Sequence, residues 1–293
     1  MVPKFHHLSC SYTLLLITIF SLSCSTIICQ SHLPNTPLDY LKALSGTHKG
    51  DKSKGLNKLK EYLKNLGYIN SKIPTNKYDD FFDDTLELAI KKYQEFYNIK
   101  ITGFLDPETV TLMLKPRCGV ADLLTTNRTP FRSYYNLSGY SWPPNKRNLT
   151  YSLPKDTRKD AYTPIVKALI KWVSVSPFNF TFTDDFENSD VKISFETRDH
   201  GDGYPFDGPY GVLGHSFYPT DGRLHFDAEE NWKPFAEAGS FYLGTVALHE
   251  LGHILGLAHS QDEKSIMYAY IGEGENKDLT QDDIHGIKSI YPS

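Results

Sequence analysis

His249, His253 and His259, near the end of this 293-residue chain, are separated by four and six residues, and Glu250 directly follows the first. On a helix the rings of residues i and i+4 leave one face, so His249 and His253 can bind a single metal ion. Gly256 can end such a helix in a left-handed turn that sends the chain back, letting His259 supply a third nitrogen. Three protein nitrogens leave the fourth position of a tetrahedral zinc open to water, the arrangement of a catalytic rather than a structural site. A helix with incidental histidines is the competing reading of a bare His-Glu-x-x-His. The added glycine and third histidine argue against it.

The run from His249 to His259 resembles the metzincin metalloproteases. Ser260, directly after the third histidine, and Met267, where a methionine turn would lie beneath the zinc, narrow the resemblance to the matrix metalloproteinases. That family usually continues Met-Tyr-Pro, whereas this chain reads Met267-Tyr268-Ala269. The resemblance places this segment in the wall of the S1′ specificity pocket, and Thr245 at a position that helps set its depth. Two small residues there imply a preference for large apolar P1′ side chains. The implied reaction is peptide hydrolysis by a zinc-activated water, with Glu250 carrying the proton to the leaving amine. A polypeptide substrate is expected to lie extended beside 211–214.

Pro116-Arg117-Cys118-Gly119-Val120-Ala121-Asp122 resembles the family's cysteine switch, in which a propeptide thiolate takes the fourth zinc position. Arg117 and Asp122 resemble the pair that holds that segment in shape. Cysteine arithmetic agrees: Cys10, Cys24 and Cys29 lie in or beside an apolar N-terminal stretch, which leaves Cys118 with no evident disulfide partner. The expected product is a latent zymogen inhibited by its own propeptide, with an activating protease as a further partner.

A second set of donors lies upstream. His200, Asp202, His215 and His225 offer three imidazoles and a carboxylate, a closed tetrahedral set with no place for water, and they match the family's structural zinc site. Asp207, Asp227 and Glu230, with the carbonyls of Gly208, Tyr210 and Val212, resemble its neighbouring calcium site, whose hard oxygens suit a hard cation. Tyr210 stands where a glycine is usual. A second calcium is less well supported, because the connection 219–224 is short and Arg223 occupies a commonly acidic position. That short connection, with no hemopexin-like module following, makes the chain resemble the plant matrix metalloproteinases.

These residues need elements to position them. Residues 1–29, with Lys4 ahead of an apolar run, read as a secretory signal peptide, an uncleaved anchor being the alternative. No GPI-type tail is present, so no stable membrane anchor is expected after cleavage. A formal charge of −4 without a basic cluster gives no sign of nucleic-acid binding. Sequons at Asn127, Asn136, Asn148 and Asn179 are compatible with a secreted, extracellular glycoprotein, in the apoplast or cell wall if the source is a plant. Leu56, Leu59, Leu63 and Leu66, then Leu86, Ile90, Tyr93 and Tyr97, predict two helices, and Asp106-Pro107 opens a third. They form a small three-helix propeptide, 30–133, which resembles peptidoglycan-binding modules. Strands are expected at 149–153, 180–183, 191–197, 211–218 and 224–227, and helices at 158–175, 242–255 and 282–290. The fold class is α+β, with a twisted mixed sheet and three helices in a catalytic domain at 134–293. The alternative to a secreted endopeptidase is an extracellular binding protein that keeps fold and metals but not activity.

Overall fold

The structure, a computed structural model, describes residues 36–70, 72, 79–124 and 137–292. The expected signal peptide, the sequons at Asn127 and Asn136 and the expected domain start at 134 lie outside the described residues. Among the described residues no helix is long and apolar enough to cross a membrane.

The leucine spacing of the first part does form helices. α1 is a single turn, Tyr40–Ala43, too short to show a period in the sequence. α2, Leu56–Asn65, turns Leu56, Leu59 and Leu63 fully inward, and Gly67 beyond its end takes φ 89°. α3, Asp84–Phe96, starts where the Asp83 carboxylate accepts from the Leu86 amide at 2.8 Å. α4, Pro107–Met113, starts the same way, with Asp106 accepting from Thr109 and Pro107 in the first turn. Three expected helices are therefore present, with one extra turn ahead of them.

The remainder is a mixed sheet with helices. Its strands are β1 Arg117–Cys118, β2 Asn148–Ser152, β3 Asn179–Phe182, β4 Val191–Glu196, β5 Val212–Ser216 and β6 Arg223–Asp227, in the order β1-β5-β6-β4-β2-β3. β5 and β6 are antiparallel and the other pairs parallel. A two-residue pair, β7 Trp232–Lys233 with β8 Phe241–Tyr242, stands apart from it. α5, Tyr162–Val173, packs on α6, Leu243–Ile254, and the Trp172 indole donates to the Leu248 carbonyl at 2.8 Å. α7, Gln281–Ile290, opens with a capping box between Thr280 and Asp283. Every residue of α6 is buried, so the helix expected to carry the histidines runs through the core.

β1 was not foreseen as a strand, since two residues show no alternation. It falls in the segment expected to act as a switch, and it is inserted between two walls. On one side the Arg117 amide donates to Gly211 O at 3.0 Å and the Gly119 amide to Gly214 O at 2.8 Å. On the other the Cys118 amide donates to Ala269 O at 2.9 Å, and the Ile271 amide to Pro116 O at 3.1 Å.

Candidate active site and metal centres

α6 brings His249 and His253 to one face, with ring centroids 4.8 Å apart. The helix then ends in a double hydrogen-bonded turn: the Leu257 amide donates to Gly252 O and the Gly256 amide to His253 O, each at 2.9 Å. Gly256 has φ 102°, and a Cβ there would meet Tyr140 O at 2.5 Å, so both conformation and space call for glycine. The turn sends the chain back to His259, whose ring lies 4.8 Å from that of His253.

The imidazoles share one orientation. Nδ1 of His249 lies 2.7 Å from Ile266 O, Nδ1 of His253 is 2.7 Å from Leu257 O, and Nδ1 of His259 is 2.7 Å from Asp122 Oδ1. Acceptors at Nδ1 put the proton on that nitrogen and aim the Nε2 lone pair inward, as a metal ligand requires. Burial, and then repulsion from neighbouring histidines, holds His249 and His253 well below the ordinary histidine pKa, so their rings are neutral. Two neutral nitrogens, His249 Nε2 and His253 Nε2, therefore face each other at 3.1 Å. A cation between them resolves that conflict, and the donor set fits zinc. Cys118 Sγ completes the cluster 3.5 Å from His253 Nε2, and the four donor atoms lie within 4.8 Å of one another.

Around this centre Met267 lies against α6: a Cβ on Gly252 would meet its sulfur at 2.2 Å. Glu250 is buried, and burial pushes its carboxyl up to about 7 against the opposing influence of Cys118 and Ser216. Ser216, a residue that sequence reasoning missed, donates to Glu250 Oε2 at 2.7 Å. Arg117 and Asp122 form a buried two-pronged pair at 2.6 and 3.2 Å, and Tyr68 and Tyr97 also donate to Asp122, at 2.9 Å each. Burial alone would raise Asp122, but Arg117 and His259 outweigh it and hold the carboxyl well below the usual range.

The second cluster forms where β5 and β6 pair, with His215 directly opposite His225. Asp202 Oδ2 lies 2.9 Å from His200 Nε2, 2.8 Å from His215 Nε2 and 3.0 Å from His225 Nδ1. These four donor atoms also lie within 4.8 Å of one another. Burial pushes His215 down to about 4 despite Asp202, so its ring nitrogen is available to a metal.

The acidic loop places Asp207, Asp227 and Glu230 within electrostatic reach of one another, Asp227 and Glu230 buried and Asp207 half-buried. Asp207 Oδ1 accepts from the Val212 amide at 2.9 Å and Glu230 Oε1 from the Tyr210 amide at 2.7 Å. Asp227 Oδ2 and Glu230 Oε2 are buried without a hydrogen-bond partner. Burial pushes Asp207 up to about 6 and Glu230 up to about 8, with Asp227 adding repulsion to each. Gly208 has φ 91° and Tyr210 φ 67°, so tyrosine keeps the left-handed backbone expected of a glycine there. Arg223 pairs with Asp221 at 2.7 Å and lies over the Phe217 ring.

Thr245 is buried, its hydroxyl donating to Glu275 O at 2.9 Å and accepting from the Lys277 amide at 3.1 Å; Ala269 is buried as well. The structure thus ties Thr245 to the loop following the Met267 segment. Asn148 and Asn179 are exposed and stand opposite each other at the start of β2 and β3.

A family model described as matrixin matches residues 141–292, and one described as a peptidoglycan binding domain matches 52–113. Metalloendoproteinase 1 of Glycine max is 42% identical over 261 residues, which is 83% of this chain and 84% of that protein. Metalloendoproteinase 2-MMP of Arabidopsis thaliana is 38% identical over 283 residues, 86% of this chain and 75% of that protein. The interstitial collagenase of Sus scrofa is 39% identical over 243 residues, 80% of this chain but 48% of that protein. The chain belongs to the matrixin family of zinc metalloendopeptidases.

Proposed function

We propose that this metalloendopeptidase is made as a latent, secreted zymogen with a signal peptide at 1–29, a propeptide at 30–133 and a catalytic domain at 134–293. The observation that carries the reading is the position of β1. It lies hydrogen-bonded to both walls of the cleft while Cys118 meets the three histidines, so the propeptide fills the place of both a substrate strand and the fourth metal ligand.

In this reading His249, His253 and His259 hold the catalytic zinc, and His200, Asp202, His215 and His225 a structural one. Asp207, Asp227 and Glu230, with the carbonyls of Gly208, Tyr210 and Val212, take calcium; the buried carboxylate oxygens without a partner support this. Bound zinc supplies Lewis acidity toward a peptide carbonyl and makes a water acidic. Glu250 accepts the proton of the attacking water and returns it to the leaving amine, a task suited to a carboxyl raised to about 7. Gly211 O, Gly214 O, Ala269 O and the Ile271 amide, now engaged by β1, hold the extended substrate. Thr245 and Ala269 line a pocket that favours large apolar P1′ residues. Asn127, Asn136, Asn148 and Asn179 are the expected glycan sites, and a second protease cuts the propeptide away.

The test is Glu250→Ala after propeptide removal. Peptide cleavage should fall by about 10²- to 10⁴-fold, the usual contribution of a general base, with two zinc ions retained. A wild-type protein that cleaves no peptide after proven removal is instead a binding protein on the same fold.

A further inference from the structure

The propeptide strand also displays what one wall of the cleft can hold. Arg117 and Tyr270 face each other across an antiparallel bridge between β1 and the segment after Met267. Residues directly opposite in such a bridge carry their side chains on the same face, whichever way the neighbouring strand runs. The Arg117 guanidinium carbon accordingly lies 5.1 Å from the centroid of the Tyr270 ring, within cation–π range.

The other groups holding Arg117 come from the propeptide: the Asp122 carboxylate, the Tyr97 hydroxyl and the Cys118 carbonyl. Much of what covers Tyr270 does too, since its hydroxyl is 2.5 Å from that of Tyr93 and its ring 5.1 Å from that of Tyr97. Loss of the propeptide strips these groups away and leaves an aromatic face beside the substrate's path. A groove of about 340 Å³ adjoins it, with Glu263 and Glu275 among its walls. Of the two lysines that line it, Lys115 lies just ahead of β1 and leaves with the propeptide, and Lys277 is already engaged: its ammonium lies 3.6 Å from Glu275, 2.8 Å from Glu263 O and over the Tyr268 ring.

We propose that Tyr270 forms a subsite for a cationic side chain of the polypeptide substrate, arginine before lysine, in the place that Arg117 occupies in the zymogen. Arginine leads because its planar guanidinium stacks on a ring while a lysine ammonium is a compact, strongly hydrated charge. The proposal rests on the endopeptidase reading of this cleft.

The experiment takes the full chain after propeptide removal and measures kcat/KM on peptides carrying Arg, Lys or Gln at each position flanking the cleaved bond. At one position Arg should exceed Gln by about two- to fivefold, the range of an exposed cation–π contact. Tyr270→Ser should abolish that preference and Tyr270→Phe keep it, while both variants melt at the wild-type temperature, which shows an intact fold. An arginine preference at no position, or one that survives Tyr270→Ser, overturns the subsite and leaves the endopeptidase reading standing. No cleavage of any peptide by the wild type overturns both.

Discussion

The two histidine clusters are alike in donors and differ in ownership. His200, Asp202, His215 and His225 all come from the catalytic domain, and the pairing of β5 with β6 already sets His215 beside His225. At the other centre three donors come from α6 and the turn after it, but the fourth, Cys118, comes from β1. Even the partner of His259 Nδ1, Asp122, lies with Cys118 in the segment ahead of the matrixin match. Cutting the chain between the two parts leaves the first cluster whole and the second one ligand short. In the zymogen proposed above, a permanent metal is held on paired strands and a switchable one by a ligand on a separable segment.

The most direct break of this contrast is to remove the separable ligand. Four-ligand zinc binding is worth roughly 10–16 kcal/mol, on the order of 3 kcal/mol per ligand, so Cys118→Ser should shift the closed-to-open balance by about 100-fold. The precursor is then expected to cleave peptides, or its own propeptide, without an activator. Assay of the purified full-length variant checks this, and a stable inactive precursor would mean that the β1 hydrogen bonds alone keep the cleft shut.

His215→Ala attacks the permanent cluster instead. Because structural metal binding is folding free energy, melting temperature and zinc content should fall together, from two zinc ions to one, with stability down by several kcal/mol. Metal analysis alongside calorimetry decides it; two ions retained at an unchanged melting temperature would remove the distinction between the clusters.

What was legible in the sequence follows the same division. The i, i+4 histidines, the Leu56-Leu59-Leu63 stripe and the Asp83 and Asp106 caps are local, and each reads directly as a helix face or a helix start. Spacing alone gathered His249, His253 and His259, whereas adding Cys118 and assigning the second cluster took a family resemblance that joined residues far apart in the chain. Contacts with no local pattern stayed hidden. β1 is two residues long and becomes a strand only between its two walls; Ser216 looks like any polar position on a strand; and the tyrosines on Asp122 lie 54 and 25 residues from it. Gly252 did carry an available signal, since a glycine inside a buried helix implies close approach, here by Met267.

The acidic loop gives a third, smaller contrast. In the cation-free protein burial pushes Asp207 up to about 6 and Glu230 up to about 8. A carboxyl raised on folding binds its proton more tightly folded than unfolded, so stability is greatest below its unfolded pKa near 4 and is lost as pH rises through the folded value. The cation-free protein should therefore weaken between about pH 4 and about pH 8. Calcium at about 100 times its dissociation constant should add about 2.7 kcal/mol where the carboxylates are already ionised, and less under acid conditions where protons compete. Thermal melts with and without calcium across that range measure the difference. A calcium gain independent of pH would place the ion elsewhere.

The smallest effect concerns the residue that both states of the switch share. Ser216 lies at the end of β5 and donates to Glu250 Oε2 at 2.7 Å, fixing one carboxylate oxygen by a bond internal to the catalytic domain. In the proposed reading it therefore persists when Cys118 leaves, and it holds Glu250 in one orientation for proton transfer. A hydrogen bond to a charged group contributes about 1.5 kcal/mol at the low end, so Ser216→Ala should lower kcat by about tenfold with KM nearly unchanged. Ser216→Thr keeps the hydroxyl and should recover most of the rate. Zinc content should remain at two in both variants, because no metal donor is touched. A drop in kcat that threonine does not rescue, or a change confined to KM, would show that Ser216 packs the strand end rather than orienting Glu250.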